Sequence, residues 1–174
     1  MSLAQLLAEL TDPRLQAFVS SWDKVRGNRD VPRWRDLDIA AMKQVLPYIW
    51  AWVYDRESDV FTGKLAGEEI LGVVGRGLRG AKAHEFYTPA QYRLFYDWTS
   101  RVVVNQDGLV ISGPVFSFVG SSAIGQRVAL PVAVKGEKAD TILGVTLFDF
   151  SQTRAMSIRN FLAFETINFH TLER

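Results

Sequence analysis

The chain has no cysteine among its 174 residues, which removes disulfides, thiolate metal sites and cysteine nucleophiles from consideration. Histidine is almost as scarce. Its two copies, His84 and His170, lie far apart, and no H-x-x-x-H or comparable ligand spacing occurs, so a transition-metal centre is not expected. Excess charge of either sign is missing too: 20 basic against 19 acidic side chains leave +1, which gives no electrostatic case for nucleic acid or an anionic membrane surface. No apolar run approaches the roughly 18 residues of a membrane span, and MSLAQLLAEL lacks the basic start of a signal peptide. A cytoplasmic, non-membrane protein is therefore expected. Repeats and low-complexity segments are also missing.

What is present is the material of a core. Hydrophobic residues make up 48% and charged residues 22% of a length that suits one compact domain with terminal extensions. Ser2 with Gln5 begins a first helix striped by Leu3, Leu6, Leu7 and Leu10. Asp12 and Pro13 begin a second, ended by Gly27, whose Leu15, Phe18, Val19, Trp22 and Val25 fall on one face. That face either packs on the domain's own core or forms a dimer seam. Asp38 is set to cap a short helix bearing Ile39, Met42, Val45 and Leu46 and stopped by Pro47.

YIWAWVYD and VFTGKLAG read as a hairpin joined by RESD. GEEILGVVG, with acids in its first turn, reads as a short helix. Thr88 and Pro89 open a longer helix that ends before Gly108, with Tyr92, Phe95, Tyr96, Thr99, Val102 and Val103 on its inner face. LVISGPVFSFVG, GQRVALPVAV and TILGVTLFDF are strands, with GSSAIG as a hairpin loop between the first two and KGEKAD linking the last two. The tail over 151–174 is amphipathic and fits a helix or an added edge strand, with helix favoured. The order predicts an α+β fold: a five-stranded antiparallel sheet over 31–150 with helices on one face, preceded by a helical extension over 1–30.

GRGLRG, residues 75–80, has the G-x-G-x-x-G spacing of a dinucleotide-binding turn. Such a turn needs a preceding strand, a long crossover helix and an acidic residue about 20 positions on. Here a helix precedes it and Pro89 follows too soon. Asp97 lies inside a helix, and Asp107 comes too late. The glycines are better explained as the exit from the short helix.

These pieces carry a resemblance. A leading segment with Pro32, Arg35, Asp36, Asp38, Leu46 and Pro47 is followed by Leu65-Ala66-Gly67 and Glu69-Ile70. Gly75-Arg76 with Leu78 and Gly80, and then Ile142-Leu143-Gly144, complete the series. In this order the chain, over roughly 31–150, resembles a PAS-domain family common in alphaproteobacteria (PAS_5-type single-domain proteins). The resemblance implies a PAS fold and makes GRGLRG the family's turn after the short helix.

The chemistry of the residues offers no catalytic constellation, so an enzyme is not expected. There is no G-x-S-x-G or P-loop, and the acidic pairs Glu68-Glu69 and Asp36-Asp38 are explained by helix starts. In a PAS-like sheet a ligand sits between the long helix and the inner sheet face. The candidate lining is His84 in the connecting loop, Tyr92, Phe95 and Tyr96 on the helix, Phe116 or Phe118 on a strand, and Arg127 at the opening of another. The alternative is that these rings simply fill the core. No cofactor is expected: flavin adducts need cysteine and haem is poorly served by two histidines, so a small organic metabolite is the better candidate.

Two functions stay open. One is a sensory module that binds such a ligand and signals to a separate protein, since the fold and its flanks use up the chain. The other is a ligand-free interaction module that uses the fold's sheet and the N-terminal helices for dimerisation or docking; a homodimer through the N-terminal helices is expected. A cavity of a few hundred Å³ holding an unpaired polar group would favour the first, and exposed apolar residues on the first helices the second.

Overall fold

The computed structural model describes residues 2–118, 121–150 and 166–172. Its chain begins with α1 (Leu3–Glu9) and α2 (Pro13–Arg26), then forms the hairpin β1 (Ile49–Asp55) and β2 (Val60–Ala66). Two helices follow, α3 (Glu68–Val74) and α4 (Pro89–Val104), and then β3 (Asp107–Phe118), β4 (Ser121–Val132), β5 (Thr141–Asp149) and β6 (Thr166–Thr171). The helix starts are those the local chemistry dictates. The Ser2 N–H donates to Gln5 Oε1 at 2.6 Å, and Asp12 accepts the Arg14 N–H at 2.8 Å. Thr88 and Gln91 cap α4 reciprocally.

All strands form one antiparallel sheet in the order β2-β1-β5-β4-β3-β6. It has six strands where five were expected. The sixth comes from the tail, where helix was favoured: TINFHT alternates apolar and polar side chains and pairs with the edge of β3, from Asp107↔Thr171 to Ser112↔Thr166. The tail's remaining positions, 151–165 and 173–174, lie outside the described residues. GSSAIG is not a loop either, because Ser121 to Gly125 already pair with β3. The helix expected after Asp38 is a run of tight turns. Asp38 still caps it, accepting the Ala41 N–H at 3.0 Å. The bonds inside it, however, run three residues back, Met42 to Ile39 and Val45 to Met42. Met42 and Val45 are buried, whereas Ile39 is 53% exposed.

The helices are not confined to one face. α3 and α4 cover the face carrying Trp50, Trp52, Leu109, Ile111 and Arg127. α1 lies across the opposite face. Leu6 presses on Gly108, and Gln126, beside Arg127 but pointing the other way, donates to the Glu9 carbonyl at 2.8 Å and accepts the Thr11 N–H at 3.0 Å. α2 is tied down by the Trp22 indole, which donates to the Pro131 carbonyl at 2.9 Å. Arg26 adds a bond to the Leu172 carbonyl at 2.7 Å. Leu15, Phe18, Val19 and Trp22 are fully buried, so the stripe a dimer seam would have used is covered within the chain.

Candidate ligand cavity

The inner face of the sheet does not close onto α4. Between them is a cavity of about 280 Å³, at the small end of the size range of ligand sites. Its floor is Trp50 and Trp52 from β1, Leu109 and Ile111 from β3, and Arg127 from β4. One wall is Ile70, Val73 and Val74 of α3 with Leu78 of the glycine turn, and the other is Gln91, Phe95, Trp98 and Thr99 of α4. A bulge in β3 between Pro114 and Phe116 turns Phe116 and Ser117 to the rim. A second hollow of about 200 Å³ shares Tyr87, Gln91, Phe95, Trp98, Phe116, Ser117 and Arg127.

The rings hold one another edge to face around this space: Trp52 and Phe86 at 5.7 Å, Trp52 and Phe95 at 5.4 Å. Tyr87 stacks on Phe95 at 5.0 Å. Among the described lining residues the charged one is Arg127. Its Nε donates to the Thr146 hydroxyl and its Nη2 to the Val115 carbonyl, both at 2.9 Å. Thr146 also accepts the Trp50 indole N–H at 2.9 Å. The guanidinium lies 5.3 Å from the Phe116 ring centre and 5.8 Å from that of Trp50. Among the described residues no carboxylate pairs with it. Burial holds its pKa below the ordinary arginine value, and the neighbouring Tyr87 acts weakly the other way. Burial likewise raises the Tyr87 hydroxyl, against a smaller opposing pull from Arg127.

Of the candidates read from the sequence, Phe95, Phe116 and Arg127 line the cavity, while His84, Tyr92 and Tyr96 do not. His84 is exposed and meets the Tyr92 ring edge to face at 6.0 Å. Tyr92 and Tyr96 follow Gln91 and Phe95 by one residue, a turn of about 100° around the helix, which aims them at the β1–β2 turn. There Tyr96 and Tyr54 each donate to Asp59 Oδ1 at 2.6 Å. That pair of bonds holds the Asp59 carboxyl below its usual range and raises Tyr96. The side chain of Phe118 lies outside the described residues. Gln91, Trp98, Tyr87, Trp50 and Trp52 were missed. The i, i+4, i+7 spacing of Gln91, Phe95 and Trp98 would have found the helix wall, and the alternation of YIWAWVYD the floor.

GRGLRG belongs to this wall and not to a nucleotide site. Gly75 (φ 72°) and Gly80 (φ 79°) take the left-handed conformation, and the loop between them drops Leu78 into the core. Backbone bonds from Gly80 to Gly63 and from Gly63 to Ala81 pin it on β2. Among the described residues Arg76 pairs with no acid. It lies 3.7 Å over the Phe86 ring and donates to the Glu85 carbonyl. Among the described residues no group of three metal-ligating side chains converges, and no helix is long and apolar enough to cross a membrane.

A family model described as PAS domain matches residues 10–147, taking in α2 as well as the sheet through β5. Among solved structures, an RNA-binding light-oxygen-voltage receptor is similar at a TM-score of 0.38 and 13% identity, over 64% of this chain. The chain spans about a third (32%) of that receptor. No curated protein matches.

Proposed function

The chain belongs to the PAS domain family, and from that premise we propose that it is a sensory module that takes a small organic ligand between α4 and the sheet and passes occupancy to a separate protein. The observation that carries the reading is the cavity of about 280 Å³, lined by rings and holding one guanidinium with no carboxylate partner among the described residues. A core merely filled by its own rings would have no room there. Exposed apolar residues on the first helices would favour the competing ligand-free interaction module. Among the described residues the large exposed hydrophobics are Ile39, Leu71, Val104, Val134 and Phe150, and none lies in α1 or α2.

The output route we propose is β4. Its neighbouring residues Arg127 and Gln126 face opposite sides of the sheet, one touching the cavity and the other holding the end of α1 and the link to α2 onto the strand through Glu9 and Thr11. A ligand that draws on Arg127 shifts the strand on which the N-terminal helices rest. Native mass spectrometry of freshly purified protein tests the reading. The expected result is a reproducible extra mass that is lost on denaturation and lacking in an Ile111→Phe variant, which fills the cavity. A bare chain in both, forming a dimer that survives dilution, would overturn it in favour of the interaction module.

A further inference from the structure

A guanidinium carries five N–H donors and a permanent charge. Arg127 uses the Nε donor on Thr146 and one Nη2 donor on Val115. Both acceptors are neutral, so they orient the group without cancelling its charge. Both N–H groups of Nη1 and one of Nη2 remain uncommitted, the set a carboxylate engages in fork fashion. Among the described residues, those lining the two hollows include no aspartate, glutamate, lysine or histidine, so Arg127 is the one formal charge among them. The hydroxyl of Tyr87, a residue in the wall of both hollows, has no hydrogen-bond partner among the described residues, and a phenol is a donor at neutral pH. It is a second donor facing the same space.

Resting on the ligand-binding reading above, we infer that the ligand is a compact ring compound bearing a single carboxylate, which is held by Arg127 and Tyr87 while the ring lies among Trp52, Phe95 and Trp98. One cation matches one negative charge. A phosphate dianion would leave half its charge unmatched in a site walled by rings, and a neutral ligand would leave the guanidinium uncompensated. The cavity's size admits one or two fused rings and little more.

The test compares acids with their amides on the full chain: benzoate and indole-3-acetate against benzamide and indole-3-acetamide. Affinities are measured by calorimetry and ligand-observed NMR. The expected result is that the acids bind about 10- to 100-fold more tightly, the range of a charge-assisted hydrogen bond. The preference should vanish in Arg127→Gln and narrow in Tyr87→Phe, with circular dichroism confirming that both variants are folded. Should Arg127→Gln fail to fold, the acid–amide comparison on the unaltered chain and on Tyr87→Phe still decides. Amides binding as well as acids would overturn the assignment of an anion and leave the cavity reading standing. Binding of neither, with no response from residues of the cavity wall, would overturn both.

Discussion

At the scale of single residues, two polar groups gather partners from other elements, Arg127 on the inner face and Asp59 in the β1–β2 turn. Arg127 was legible as a candidate because a lone arginine opens an apolar strand. Its neighbours were not, because Thr146 and Val115 reach it only through strand register, Arg127↔Thr146 in one pairing and the bulge of β3 in the other. Asp59, by contrast, belongs to an exposed turn and gathers two tyrosine hydroxyls. Its folded pKa lies below the ordinary 3.8. The stability it adds is therefore fully present above that value and is lost as the pH falls through the lowered one. NMR titration of the Asp59 carboxyl is expected to give a pKa below 3.8 that climbs back in a Tyr54→Phe, Tyr96→Phe double variant. An unchanged value would show that the hydroxyls do not hold it. Gly144 makes a different demand: a Cβ there would collide with the Trp50 indole. Gly144→Ala is expected to destabilise the fold by about 1–3 kcal/mol in urea titrations and to push Trp50 into the cavity, and a neutral result would contradict the packing described.

Elements whose limits are set locally were readable. Pro13, Thr88, Pro89 and Gly75 mark helix ends through chemistry within a turn of the chain, and α2, α3 and α4 lie where that chemistry puts them. β6 was not, because TINFHT becomes a strand only by meeting β3, a partner more than 50 residues away. What holds it there is also distant: Glu9 of α1 lies 2.7 Å from the fully buried His170 and accepts from Asn168 at 2.5 Å. Removing the histidine leaves the carboxylate without that partner, so His170→Ala should lower stability by about 1–3 kcal/mol. Hydrogen exchange is expected to quicken selectively over 166–171, while β4 and β5 stay protected. Acceleration spread evenly over the sheet would mean that α1 and β6 are not coupled through this contact.

At the scale of the molecule, the layering escaped the sequence. Periodicity shows that α2 has an apolar stripe but not which face of the sheet receives it, and both faces of β4 are apolar enough to accept a helix. With α1 and α2 on one side and the cavity on the other, a single strand separates the cavity from the N-terminal helices. The central claim, that this cavity accepts a small ring compound, is tested most directly with the five tryptophans. Trp50, Trp52 and Trp98 line the cavity, whereas Trp22 is buried under the opposite face and Trp34 lies at another hollow beside Arg33 and Glu137. In a ¹H–¹⁵N titration with benzoate and, separately, benzamide, the indole signals of Trp50, Trp52 and Trp98 should move together while those of Trp22 and Trp34 stay still. Shifts confined to Trp34, or none with either compound, would contradict the account.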